Sequence, residues 1–599
     1  GDGNNNVVLG RNVNFSIANA TNFTAVGYNA AGGNEGTGIG GSDITVVGGL
    51  AGQMMQQNPH RTTLIGASAG RRINVGIDNT MVGAYAGSYL TGADYNVFIG
   101  SYAGYATVDV DKTVIIGHRA GYSNMTSAAD GTIAIGYEAG YSLTSGAGNT
   151  LMGYRAARSA TDSVGGAVTL GYEAMYSNTD STGNVAIGYF ALRQASGGSS
   201  RDYNVAIGYD AMRNSNPHVS IAIGYNAGNY LKDGATGAVH IGHEAGNYAS
   251  GSANTFMGYQ AGMGGTSSAP YSSGQRNVAI GYQASKDFTT GNDNTTLGYL
   301  AAHNITVAGH NTALGSEALA SEDVGDFTVA IGYRTGYYQN SDSNNEDAAN
   351  TLVGTGAGFY NITGTKNTLI GRQAGLGVSG QSNSDNVAIG YRALYGVTTG
   401  HENTVMGYEA AYSLTSADNN VIIGYQTGYS LTTARYNVLI GDQAGYSLST
   451  SSESNENVMI GNSAGRNADA ATNAAHYNVY IGSGAGYYMD DGDSNVYIGR
   501  EAGKGSGTGN NATINVLIGY QAGTSISTAD AETSIGYQAA YSLTTGGYNS
   551  SLGHKALYYN EAGTSAVAIG SNAGFMFGRG GHSAQGSIFV GNTAGYYAT

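Results

Sequence analysis

One ten-residue phrase recurs along this chain. It reads YNVAIGYDAM from Tyr203 to Met212, DNVAIGYRAL from Asp385 to Leu394, and YNVLIGDQAG from Tyr436 onward. Taking the Gly of the apolar-Gly step as an anchor gives 33 copies, from Gly10 to Gly591. Successive anchors lie 17 residues apart in 17 of 32 gaps, and the rest run from 16 to 23. A unit this short cannot fold alone. Fixing each residue costs roughly 1–2 kcal/mol. Burying each of its few large apolar side chains returns only about 1.5–3 kcal/mol. The deficit must be met by neighbouring units, which is the logic of a stacked repeat.

The columns of the repeat set the geometry. The residue before the anchor is Ile, Leu, Val or Met in all 33 copies, and the one three before is Val, Thr or Ile in 32. This V-x-I alternation has the period of a strand. It predicts that Val205, Ile207, Val387 and Ile389 point into the core. Gly208 and Gly390 then mark a corner, where glycine tolerates the backbone angles of a sharp turn. The third residue after the anchor is Ala in 30 copies. At Ala211 and Ala393 it predicts close approach to another backbone.

Asn stands four before the anchor in 21 copies, including Asn96, Asn204, Asn311, Asn437 and Asn495. Stacked coils would align these amides into a hydrogen-bonded ladder. Tyr follows the anchor in 16 copies, among them Tyr137, Tyr209, Tyr282 and Tyr408. In stacked coils these rings form aromatic columns, which either stiffen the array or offer a strip to a glycan. Extra residues gather in one place, between the AG and the next NV, as in Met263–Arg276. These elastic loops are expected to decorate the array and to be dispensable for folding. The whole pattern predicts an all-β fold, a parallel β-solenoid of about 33 coils with a period near 17 residues. No composition shift breaks it, so residues 1–599 read as a single continuous array, least regular over 1–52. At the usual strand spacing such an array is a rod of roughly 150–160 Å.

The NVAIGY-x-A core resembles the head repeat of trimeric autotransporter adhesins of the YadA type, and also the repeats of bacteriophage tail fibres. The likeness covers strands such as Asn184–Gly188, Asn277–Gly281, Asn386–Gly390 and Asn515–Gly519. It implies a left-handed β-roll, three chains around one axis, and attachment to a host or surface. The adhesin coil is shorter, so this chain carries an enlarged outer loop.

Little in the sequence suggests chemistry. The net charge of −16 disfavours a nucleic-acid partner, because phosphate binding needs a basic face. No apolar run approaches a membrane span. With no Cys, disulfides and thiolate metal sites are excluded. The 11 His are scattered, without a zinc spacing. Asp490, Asp491 and Asp493 resemble a calcium loop but lack the distal Glu, so they are only weak metal candidates. Glu138, Glu173, Glu244, Glu409 and Glu501 follow anchors by two and read as a solvated face. No cofactor is expected.

The expected function is a structural or adhesive fibre shaft, of a viral tail fibre or a cell-surface adhesin, without enzymatic activity. Its loops would meet a receptor or glycan. Its partner would be itself, as a homotrimer or a head-to-tail filament, outside the cell or on a virion surface. A self-assembling extracellular filament with a mechanical role is the alternative. A polysaccharide-processing solenoid enzyme is third, lacking the carboxylate cluster it would need.

Overall fold

The computed structural model describes residues 5–13, 19–33, 39–161, 164–179, 181–194, 202–215, 217–232, 235–268, 271–342, 347–448, 455–467, 475–490, 492–507, 509–582 and 585–598. Among them are 33 strands, nearly all three residues long, each ending just before an anchor glycine. Two compact units divide the chain, Gly1–Asn294 and Thr295–Thr599. Each is a parallel β-solenoid, with 16 strands in the first and 17 in the second. Within a unit every strand pairs in parallel with the equivalent strand of the coils before and after it. Val185–Ile187 pairs with Val205–Ile207, and Val387–Ile389 with Thr404–Met406, column for column.

The hydrogen bonds outside the strands follow the same rule. Gly208 N–H donates to Ile187 O in the coil before at 2.8 Å, and Met212 N–H donates to Ala227 O in the coil after at 3.0 Å. The anchors stack on one another: a Cβ added to Gly390 would run into the Gly407 carbonyl. Gly390 also has φ near +135°, which side chains rarely adopt. Two further corners are left-handed without needing glycine. The second residue after the anchor has φ of 54° at Asp210 and 51° at Arg392, and the residue before the Asn column has 60° at Tyr436.

The core corrects the expected strand polarity. The middle residue of V-x-I is the buried one: Ala206, Ala388, Leu369, Phe98 and Tyr480 are all fully enclosed. Val205, Ile207, Val387 and Ile389 face the other way and are only half-buried. An alternating strand has two faces, and the coil closes over the one that carries x. Ala211 and Ala393 do lie inside.

The long loops are also more than decoration. In the insert after Met263, Ser272 is buried and its N–H donates to Tyr248 O at 3.1 Å. Tyr271 stacks on Tyr230 at 4.5 Å, and Gly274 N–H donates to Thr289 O at 3.1 Å. Residues 271–274 are therefore the return leg of the coil, and Gly264 and Gly265 also belong to it, their N–H groups donating to Lys286 O and Phe288 O at 2.9 and 2.8 Å.

Candidate binding surfaces

The solenoid presents side-chain ladders, and each expected column takes a place in one. Asn96, Asn204, Asn311, Asn437 and Asn495 are all buried. The longest run joins ten amides from Asn350 to Asn515, each Nδ2 donating to the preceding Oδ1 at 3.0–3.3 Å. The same Nδ2 reaches a backbone carbonyl ahead, as Asn437 Oδ1 takes the Asn457 N–H at 3.0 Å and Asn420 Nδ2 donates to Ala434 O at 2.9 Å. Donors and acceptors are thus used up inside the wall. Along this run nothing is left over for a ligand. At Glu532 a carboxyl replaces the amide, and burial pushes it up to about 8 although Asn549 donates to it.

The Tyr column is exposed and stacked. Ten rings run from His118 through Tyr137, Tyr209 and His243 to Tyr282, with centroids 4.9–5.6 Å apart and planes within 17° of parallel. Tyr391, Tyr408 and Tyr425 repeat the arrangement in the second unit. A sugar or flat ligand stacks on a ring face. Inside a ladder both faces are already covered by neighbouring rings, and only edges meet water. A second column, five after the anchor, joins Tyr395, Tyr412, Tyr429 and Tyr446 at 4.8–5.1 Å. There Arg466 serves as a rung, with its guanidinium 5.4 Å from the Tyr446 ring and 5.7 Å from Tyr487.

The carboxylates between these columns correct the reading of a solvated face. Glu138 and Glu173 are buried, not solvated. Glu138 bonds Arg158 at 2.7 Å and Arg155 at 3.2 Å, and Glu173 reaches Arg193 at 2.9 Å. Burial is the largest single influence on Glu138 and opposes its ionisation, but Arg158, Tyr137 and Arg155 together outweigh it and hold the carboxyl below its ordinary value. Glu244, Glu409 and Glu501 are half-buried. Each accepts the amide of a Gln one coil later, from Gln260, Gln426 and Gln521 at 2.7–3.1 Å. They belong to a third, polar ladder, which sequence reading missed. Its signal was the alternation of Glu, Arg and Gln at one column.

The described residues of the acidic loop bond to backbone N–H groups of neighbouring coils. Asp490 accepts the Gly509 N–H, while Asp493 accepts the His476 N–H at 2.7 Å. Asp491 lies outside the described residues. Among the described residues, no group of three or more His, Cys, Asp or Glu is placed to hold an ion. No helix in them is long and apolar enough to cross a membrane.

The remaining surface is the outward face of the strands. Ile99 and Ile331 are each 37% exposed, and Leu297 is 48% exposed. Neither of the two columns on this face holds a charged residue in any of the 33 copies. Per unit the stripe is roughly 80 Å by 10 Å, or about 800 Å². No protein-family model matches the chain, and no curated protein matches it. The likeness to adhesin heads and tail fibres therefore rests on the repeat motif.

Proposed function

We propose that the chain is the shaft of a surface-attached fibre, a tail fibre or adhesin located outside the cell or on a virion, in which copies of the chain pack together through the Val/Ile face. The observation that carries this reading is the uncharged stripe on the outside of each solenoid, apolar along the column before the anchor and mostly Val, Ile or Thr along the other. Its envelope of about 800 Å² per unit is comparable to what one partner contributes to a stable protein interface. Contiguous exposed patches rich in apolar side chains mark interaction surfaces. Three copies around one axis, the arrangement implied by the adhesin likeness, would enclose three such stripes. The chain acts mechanically and by attachment, not as an enzyme. The long amide and ring ladders favour a second reading as well, a filament whose role is stiffness alone.

The test is the double variant Ile207→Asp/Ile389→Asp. Both side chains are half-buried on the outer face, so the coil should keep its β-rich circular dichroism. Sedimentation velocity should show the parent as an oligomer and the variant as a monomer. A monomeric parent at micromolar concentration sinks the shaft reading. So does an oligomer that survives both charges.

A further inference from the structure

In the second unit the first ring column is missing at two adjacent coils, and the second column is missing at one of the same two. At the Gly354 and Gly371 coils, the position after the anchor holds Thr355 and Arg372 in place of Tyr. The next position holds Gly356, where neighbouring coils carry Arg334 and Gln373. Five after the anchor, Leu376 separates Phe359 from Tyr395. The missing side chains leave a cavity of about 370 Å³, walled by Tyr333, Phe359, Leu376 and Tyr395 and edged by Arg372 and Gln373. That volume suits a small ligand.

The break also changes what the rings can do. Tyr333 carries the Arg334 guanidinium 5.1 Å from its centroid but has no stacked ring partner among the described residues, whereas Tyr137 or Tyr209 has a ring on each face. Ring surface used up elsewhere in the columns is here turned into a wall. The polar groups differ from their neighbours too. Arg334 is neutralised by Glu317 at 2.6 Å, and Arg392 by Glu409 at 3.7 Å. Arg372 has no carboxylate within ion-pair distance among the described residues, and its guanidinium rests 5.8 Å from the Tyr391 ring. Gln373 Oε1 accepts from Arg392 at 3.0 Å, which leaves its NH2 as a donor.

We propose that this notch binds one acidic pyranose of a polysaccharide, a uronate-type sugar. Its C–H face would lie on the aromatic wall and its carboxylate on Arg372. An apolar ring face with a carboxylate on the rim matches the walls and the unneutralised charge together. A neutral sugar leaves Arg372 unanswered, and a simple carboxylate leaves the walls bare. The inference deepens the attachment reading and rests on it, by naming a ligand class.

The test uses the full chain, with saturation-transfer NMR and titration against methyl β-glucuronide, methyl β-glucoside and benzoate. The glucuronide should bind saturably and at least about tenfold more tightly than the glucoside, a gap of ~1.4 kcal/mol. Arg372→Gln should bring the two sugars level. Gly356→Gln should abolish binding by filling the notch. It should not harm folding, because Arg334 and Gln373 adopt the same left-handed backbone in the coils on either side, with φ of 52° and 57° against 64° at Gly356. Failure of the glucuronide to saturate overturns the proposal. So does undiminished binding by a folded Gly356→Gln protein, equal binding of both sugars by the parent, or tighter binding of benzoate. Sedimentation of the same samples separates the two ideas. An oligomer that ignores the glucuronide defeats only the notch, and a monomer that binds it defeats only the shaft.

Discussion

The ring of Phe256 occupies the space that a side chain on Gly262 would need: a Cβ there would come within 2.5 Å of the ring carbons. The same pairing recurs wherever the strand centre is aromatic, as with Phe98 and Gly104 or Tyr497 and Gly503. In several coils with a small strand centre the relation inverts. Ala206 is matched by Met212 and Ala388 by Leu394, all buried. In the Gly171 coil the two positions touch, with the Thr169 hydroxyl 3.0 Å from the Met175 sulfur. One core volume is shared between the two positions.

That sharing predicts strong coupling. The backbone at Gly262 has φ of 52° and Met212 has 51°, so a side chain at 262 is blocked by the ring and not by the backbone. Gly262→Met should destabilise by about 1–3 kcal/mol through overpacking. Phe256→Ala should cost about 3–5 kcal/mol by leaving a cavity. The double variant recreates the Ala206/Met212 coil and should be more stable than the sum of the two losses by over ~1 kcal/mol. Chemical denaturation of the four proteins measures the cycle. Simple additivity would show that the two positions do not share space.

This relation also explains what could and could not be read in the sequence. The period, the parallel strands and the corner glycine were legible because stacking forces each column into a constant environment. Which strand face lies inside was not. The constant Val and Ile columns looked like a core, whereas the core lies behind the variable one. A residue such as Ala206 or Phe256 can vary because its partner across the coil compensates. The usable cue was that covariation, Gly with a large centre and Leu or Met with a small one. The notch was hidden for a different reason. It is made by side chains absent at Thr355, Gly356 and Leu376, and a missing Tyr in a column of mixed residues carries no signal until neighbouring coils are superposed.

The tyrosine ladder should contribute to stability although it faces water. Tyr209 stacks on Tyr189 at 5.0 Å and on Tyr225 at 5.4 Å. Aromatic pairs contribute ~0.5–1.5 kcal/mol each beyond burial. Tyr209→Ala should therefore destabilise by about 1–3 kcal/mol. Tyr203→Ala, at an exposed ring outside the ladder, should change stability by less than ~0.5 kcal/mol. Equal melting shifts for the two variants would remove the ladder from the account.

His240 is the strand-centre residue of its coil, fully enclosed, stacked on Phe256 at 5.0 Å, and neither ring nitrogen has a hydrogen-bond partner. Burial lowers its pKa from 6.5 to about 3. The folded state therefore favours the neutral ring. Its contribution is fully present above pH 6.5 and is lost as pH falls from there toward about 3. His240→Phe removes two unsatisfied polar atoms and should stabilise at neutral pH by about 1–3 kcal/mol. The gain should widen as the solution is acidified. Urea midpoints at pH 7 and pH 4.5 test this, and a gain that shrinks at the lower pH contradicts it.

Glu532 gives the opposite sign from His240. Its N–H donates to Asn515 Oδ1 at 2.8 Å, and its Oε1 accepts from Asn549 Nδ2 at 2.6 Å. Its Oε2 is buried without a partner. Burial is the main reason its pKa rises from 4.5 to about 8, with the Asn549 bonds pulling the other way. A carboxyl whose folded pKa is raised binds a proton more tightly in the folded state. Its stabilising contribution is present below pH 4.5 and is lost as pH climbs through the interval up to about 8. Glu532→Gln keeps the acceptor and supplies a neutral amide, as the rest of the column does. The variant should melt at nearly the parent's temperature at pH 4.5 and clearly above it at pH 8.5. Its advantage should grow steadily between the two. Parallel melting curves across that range would mean that Glu532 does not titrate within the wall, and an advantage largest at pH 4.5 would reverse the sign of its linkage.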